Sequence, residues 1–234
     1  MSDNESFELA NAGILSAAIN LGNIVLARTE ADGRPAGITV ELAEKIACAL
    51  NLSLSLKTYP TAGKVVDDAA DNTWDVAFLA IDPMRDELLS FTAPYITIQG
   101  TLLVKIASPW HSVKEMDRVG MTINVGKGAA YDLFLSRTLK KATLSRFPSS
   151  QHAVDAFING EGDMVAGVRQ PLEQAMKQHG GFRVVNDNFT QIHQAVCVPK
   201  TKTALYARVY EMVQQWQADG SLNAIVEANR IQDQ

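Results

Sequence analysis

Asp75-Val-Ala-Phe-Leu-Ala-Ile-Asp-Pro-Met-Arg85 is the stretch on which the fold turns. From Asp75 to Ala80 it is an apolar run of strand length. From Asp82 to Glu87 it becomes turn-like, and Pro83 is well placed to open a single helical turn.

Upstream, Ile14 to Ile19 reads as a short buried strand, followed by a polar loop from Asn20 to Pro35. Ile38, Leu42, Ile46, Ala49 and Leu50 recur at helical spacing and predict a helix ending near Asn51. Leu52, Leu54 and Leu56 alternate with polar residues as in a half-buried strand, and Val65 to Ala70 is a short helix candidate. Strand, helix, strand, helix, strand is the pattern of a parallel sheet with covering helices.

Downstream, Ala93-Pro94-Tyr95 reads as a break before a strand at Thr101 to Val104, and Pro109 with His111-Ser112 as a crossing segment. A second α/β unit begins at Met121. A strand to Val125 leads into the tight turn Gly126-Lys127-Gly128, then a helix through Leu133, Phe134 and Leu139. A strand at Leu144 to Phe147 precedes a helix capped at Ser149 or Ser150 and ended by Gly160. Asp163 to Ala166 is the next strand, and Pro171 sits early in a helix that stops before Gly180-Gly181. Phe182 to Val185 and Ala195 to Val198 are the last strands. Leu205, Val209, Met212, Val213 and Trp216 then line one face of a C-terminal helix ended by Gly220. Trp74 and Trp110 read as packing residues.

The 234 residues are 47% hydrophobic and 20% charged, which excludes a disordered chain and supplies a real core. Eight prolines and 15 glycines without a repeat exclude collagen-like or low-complexity sequence. A net charge of −5 argues against nucleic acid or an anionic membrane as the main partner. No apolar run approaches the roughly 20 residues of a membrane span. The opening MSDNESFELANAG lacks the basic and apolar regions of an export signal. Cys48 and Cys197 are expected as buried free thiols, with bridging the alternative, and neither has a metal-ligand neighbour.

Taken in order, Gly37-Ile-Thr-Val-Glu-Leu-Ala43, Asp75 to Arg85, and Phe91-Thr-Ala-Pro-Tyr95 resemble bacterial family 3 solute-binding proteins, the polar-amino-acid receptors of ABC transporters. Gly160-Glu-Gly-Asp163 and Asp219-Gly-Ser-Leu222 are similar to later family motifs, so the likeness covers almost the whole chain. The resemblance implies an α/β type II periplasmic-binding fold: two lobes, two crossover strands and a ligand cleft between the lobes. Lobe 1 would take residues 1–105 and 198–234, and lobe 2 residues 106–197, with bending near Lys105 and Ala195. It also implies a monomer in the periplasm, an ABC-transporter membrane subunit as partner, and no cofactor. A cytoplasmic location is the alternative, since the given chain shows no export signal.

At Arg85 the resemblance implies a fork onto a ligand carboxylate, for which a planar, permanently charged guanidinium is suited. Pairing with Asp86 or Glu87 is the alternative. From the other lobe, backbone amides at Lys127, Gly128 and Ala129 are expected to cap the same carboxylate at a helix start. Ala80 and Asp82 stand where relatives usually carry ligand-contacting Thr or Ser. Val168 falls where receptors of α-amino acids usually place the Asp that pairs with the ammonium. Asp82 then takes that role, or the ligand is not a standard α-amino acid. Arg169 would suit a second carboxylate. Asn20 and Asn23 replace the family's usual aromatic and offer uncharged donors and acceptors, or shape a turn. Tyr95, Gln99, His193 and Gln194 complete the cleft-edge candidates.

The expected function is capture of a small carboxylate-bearing polar ligand by lobe closure. The runner-up is a lyase similar to cyclohexadienyl dehydratases, with Arg85 as clamp and Asp82 or His193 as proton donor. No Ser–His–Asp order, nucleophile elbow, phosphate loop or metal cluster is present in the sequence.

Overall fold

In the computed structural model, which describes residues 7–230, β1 (Ile14–Asn20) runs parallel to both β4 (Ser53–Tyr59) and β5 (Val76–Ala80). Between β1 and β4 the chain makes a two-residue hairpin, β2 (Arg28–Thr29) with β3 (Pro35–Ala36), inside the stretch expected as loop, and then α1 (Ile38–Ala49). Helix α2 (Ala62–Asp67) and a 3-10 turn at Asp68–Asp71 connect β4 to β5. All five residues of β5 are buried, as a strand covered on both faces requires. The edge strand β4 is only partly covered.

The second half repeats the plan. Strand β7 (Thr122–Gly126) is parallel to β8 (Thr143–Phe147) and β9 (Met164–Val168), with α3 (Ala130–Thr138) and α4 (Ser150–Ile158) between them. Helix α5 (Arg169–His179) and β10 (Phe182–Val184) follow. Helix α3 ends one residue before Leu139, whose backbone is already extended.

Two long strands join the halves: β6 (Leu89–Lys105) and β11 (Thr190–Pro199). The result is a nine-stranded sheet ordered β4-β1-β5-β11-β6-β9-β7-β8, with β10 also on β6. In the first half β11 is the antiparallel strand beside β5; in the second, β6 is the antiparallel strand beside β9. Thus the strand order of one half recurs in the other. Strand β6 already pairs with β9 at Gly100–Leu103 and with β10 at Leu103–Lys105, so its last six residues lie with the second half.

The expected break at Ala93-Pro94-Tyr95 is instead the middle of β6. Proline lacks the N–H a regular ladder needs. The ladder accommodates it with register shifts on either side of Ala195, the residue opposite Pro94.

Each half has apolar cores on both sheet faces. In the first, α1, α6 (Thr203–Ala218) and α7 (Ser221–Ala228) cover one face, and α2 with Trp74 covers the other. In the second, α3 covers one face and α4 with α5 the other. The α6 stripe Leu205, Val209, Met212, Val213 and Trp216 is buried throughout. Cys197 is buried and Cys48 exposed, both unbridged. Cys48 therefore departs from expectation, because it falls on the outer side of α1, next to exposed Ala49.

A buried ion pair ties the tail to the first half. Lys202 Nζ donates to Asp75 Oδ1 at 2.8 Å, while Asp75 also accepts the backbone N–H groups of Ala10 and Ser16. Both side chains are at most 3% exposed.

Candidate functional site: the cleft between the halves

Strands β1, β4 and β5 of the first half, and β7 and β9 of the second, present their carboxyl ends to one cleft. Asn20 ends β1, Pro60 and Thr61 follow β4, and Ala80 ends β5. From the other side come Gly126, Lys127, Ala129 and Val168, together with the first residues of α3 and α4. Open α/β sheets bind ligands outside the carboxyl ends of their strands. The cavity is about 330 Å³, of small-molecule size.

Arg85 lies at the centre of this arrangement and is only 3% exposed. The turn Asp82–Asp86 delivers it, closed by the Arg85 and Asp86 N–H groups on the Asp82 carbonyl. Its Nη1 donates to the Ala80 carbonyl at 3.0 Å and its Nη2 to the Gly128 carbonyl, across the cleft, at 3.0 Å. No carboxylate among the described residues forms a salt bridge with it, so the expected pairing with Asp86 or Glu87 is not made. Burial pushes its pKa down from the ordinary value, against a weaker opposing pull from Asp82. A buried guanidinium bonded only to neutral carbonyls carries an uncompensated desolvation cost. Its remaining N–H groups are free to take an anion.

Asp82 is committed elsewhere. Its Oδ2 accepts from Arg137 Nη2 at 2.7 Å and its Oδ1 from Arg137 Nη1 at 3.2 Å, with the Met84 N–H also on Oδ1. This forked pair joins the first half to α3. Arg137 was not a sequence candidate, since nothing local links residues 55 positions apart. Beside the pair, Gly128 at φ +74° approaches Gly63; a Cβ at 128 would stand 3.2 Å from the Gly63 Cα. A side chain at 128 would crowd this approach and strain the backbone, whereas a Cβ at 63 would stand 3.6 Å from the Gly128 Cα, an ordinary contact.

The amides expected to cap an anion already have partners. Lys127 N–H donates to the Phe147 carbonyl, Gly128 N–H to Asp132 Oδ2 and Ala129 N–H to the Gly126 carbonyl. Asp132 acts as an internal cap, itself held by Arg146 at 2.9 Å. Lys127 and Ala129 still line the cavity, and Gly128 contributes its carbonyl rather than its N–H.

Asn20, Asn23, Ala80 and Gln194 all line the cavity. The carboxamide oxygens of Asn20 and Asn23 accept the N–H groups of Gly22 and Val25. These bonds shape the loop, and the NH₂ groups stay available as donors at the cavity wall.

Four candidates do not reach the cleft: Tyr95, Arg169, Gln99 and His193. Tyr95 is packed in the first-half core, edge-on to Phe78 at 6.4 Å. Its buried hydroxyl has no hydrogen-bond partner among the described residues, and burial pushes its pKa up. Arg169 is a strut: it donates to Gln99 Oε1, Asn188 Oδ1, and the carbonyls of Val185, Asn186 and Asp187, with Glu173 alongside. Gln99 is spent on that contact, and His193 bonds Thr97 at an exposed position. The residues that sequence reasoning missed are at the start of α4. Ser149, Ser150, Gln151 and His152 line the cavity, and Tyr131 donates to Ser150 Oγ at 2.7 Å. The cap at Ser149 was legible; that it opens onto the cleft was not.

Two α/β halves of matching strand order, joined by two shared strands around an inter-lobe cleft, define the type II periplasmic-binding fold. The chain belongs to the bacterial extracellular solute-binding proteins, family 3, whose profile matches residues 25–229. Among curated relatives, the amino-acid-binding protein AabA of Dichelobacter nodosus is 23% identical over 200 residues, covering 82% of this chain and 78% of that protein. A cyclohexadienyl dehydratase of Pseudomonas aeruginosa is 26% identical over 144 residues, covering 59% of this chain and 52% of that protein. Among solved structures, a putative ABC-transporter binding component from Wolinella succinogenes, complexed with lysine, superposes with a TM-score of 0.80. It is 21% identical, and the match covers 95% of this chain and 98% of that one. No helix among the described residues is long and apolar enough to cross a membrane.

Proposed function

We propose that the cleft captures a small carboxylate-bearing solute, which the protein delivers to an ABC-type membrane transporter from the periplasmic side. The observation that carries this is Arg85: a buried cation, in the wall of a small cavity, bonded to carbonyls from both halves and to no acid. A ligand carboxylate supplies the missing charge. The Asn20 and Asn23 NH₂ groups and Lys127 bind its remaining acceptors.

Closure is a hinge motion. The lobes expected at residues 1–105 with 198–234, and at 106–197, are joined through β6 and β11, with Gly100–Lys105 paired to the second half, and bending is assigned to those strands. The register shifts at Ala195 opposite Pro94, where the ladder is irregular, support this placement. The Asp82–Arg137 fork and the Arg85–Gly128 contact span the halves and favour the closed arrangement.

A binding role is favoured over lyase chemistry for a specific reason. The two residues expected as proton donors are not placed for that role: Asp82 is forked onto Arg137 and His193 lies outside the cavity wall, so lyase chemistry would fall to another group of the wall such as His152. A thermal-shift screen over carboxylic acids tests the proposal. A ligand at 100 times its Kd stabilises by about 2.7 kcal/mol, which raises Tm by roughly 5–11 °C for a chain of this size. The acid must be recovered unchanged; consumption of a cyclohexadienyl acid by the protein would replace the receptor reading with the lyase one.

A further inference from the structure

We infer that the ligand of this cleft is an organic anion without an ammonium group: a carboxylic acid whose other polar groups are keto, hydroxy or a second carboxylate. This rests on the carboxylate reading above and narrows it.

Charge balance in the wall carries the inference. Among the described residues that line the cavity there is no aspartate or glutamate, whereas Arg85 and Lys127 are both there. The nearby acids are already matched. Asp82 takes the Arg137 fork and the Met84 N–H, and Asp132 takes Arg146 and the Gly128 N–H. An ammonium brought into the cleft would meet the buried Arg85, the exposed Lys127 and no counter-charge among the lining residues.

Neutral acceptors are scarce as well. The Ala80 and Gly128 carbonyls next to Arg85 are used by Arg85 itself. Asn20 and Asn23 have their carboxamide oxygens turned to backbone N–H groups. Thr61 Oγ1 and Ser149 Oγ cap the helices that follow them, and Ser150 Oγ accepts from Tyr131. The free ends in the wall are, on the donor side, the spare N–H groups of Arg85, a lysine and the Asn20 and Asn23 NH₂ groups. Against them stand the neutral carboxamides of Gln151 and Gln194, whose oxygens are the acceptors left and carry no charge to match an ammonium. A donor-rich, cationic wall suits acceptors, and a keto oxygen, a hydroxyl or a carboxylate is one where an ammonium is not.

Pairs of acids sharing one skeleton test this on the intact chain: malate against aspartate, 2-oxoglutarate against glutamate, lactate against alanine. Thermal shift locates binders and calorimetry gives Kd. The expected result is that the oxo or hydroxy member of a binding pair holds at least about 100-fold more tightly than its amino partner. Gln194→Glu, which adds an acid to the wall at similar size, is expected to narrow that gap by tenfold or more. Amino acids that bind as well as their partners, with binding abolished in Arg85→Ala, overturn this inference and leave the carboxylate reading standing. Binding of either series that is unchanged in Arg85→Ala, or no binding by any acid tested, overturns the carboxylate reading and this inference with it.

Discussion

Removing the guanidinium of Arg85 separates a binding role from a structural one. Arg85 makes two hydrogen bonds to carbonyls and carries a desolvated charge with no salt-bridge partner among the described residues. Replacement by methionine keeps most of the stem's packing and frees two carbonyls, at a cost of about 1–3 kcal/mol each if they stay dry. It also removes the buried charge, which offsets that cost. The net change in stability of the unliganded protein is then within about 2 kcal/mol, or roughly 4–8 °C in Tm at this chain length. In the complex the guanidinium faces a buried carboxylate, and truncating one member of such a pair costs about 2–5 kcal/mol of affinity. At about 1.4 kcal/mol per tenfold, Kd rises by roughly 30-fold to several thousand-fold. Arg85→Lys retains charge but not the planar fork, and is expected between these limits. Calorimetry for Kd and urea melts of the unliganded variants read the two effects independently. An Arg85→Met protein that binds with wild-type affinity refutes the reasoning, and one that loses affinity only in proportion to lost stability assigns Arg85 to the scaffold.

Arg137→Ala removes the fork on Asp82 and releases a bond between the halves. With Arg137 partly exposed, about 1 kcal/mol of closure is lost. Solution scattering should then show a larger radius of gyration for the unliganded variant, and Kd should rise about fivefold; an unchanged radius and Kd contradict the latch. Burial pushes the Cys197 thiol up to about 12, with Arg85 a weaker opposing influence, whereas Cys48 is exposed. A thiol reagent near pH 8 should label one cysteine in the native protein and two in urea, and native labelling of Cys197 would show that its cover is incomplete. Lys202→Met strands Asp75, buried and negative, and should cost about 3–5 kcal/mol in urea melts while leaving ligand affinity unchanged; a loss below about 1 kcal/mol contradicts the role given to the pair. Asp117 is held below the usual carboxylate range chiefly by the Ala142 and Lys141 N–H groups. Its folded value lies below its unfolded one, so its stabilisation is present above about pH 4 and is lost as pH falls through the folded value. The stability gap between wild type and Asp117→Asn should accordingly hold from neutral pH to about 5 and close in stronger acid; a gap that persists there contradicts the assignment.

Local pattern carried the sequence reading a long way. The apolar run into β5, the helix stripe of α6 and the Gly126–Gly128 turn all express neighbours a few residues apart, where periodicity and turn chemistry act. Arg85 was singled out by the resemblance to the family's motifs, while the local sequence alone equally allowed a pair with Asp86 or Glu87. What stayed hidden depends on groups far apart in the chain. Asp82 finds Arg137, Asp75 finds Lys202, and Arg169 finds the 185–188 segment, and no local signal marks any of these pairs. Pro94 misled because a proline normally ends a central strand; the irregular register opposite it lets β6 continue. The amides at 127–129 misled for a related reason: a helix start offers free N–H groups only where no side chain has already reached back, and Asp132 has.

A crystal structure of the protein with a bound carboxylic acid tests the central claim most directly. It should show the acid's oxygens about 2.7–2.9 Å from the Arg85 guanidinium, between Ala80 and Gly128, with Asp82 still forked onto Arg137. A carboxylate seated elsewhere, with Arg85 still bonded only to the two carbonyls, would contradict it.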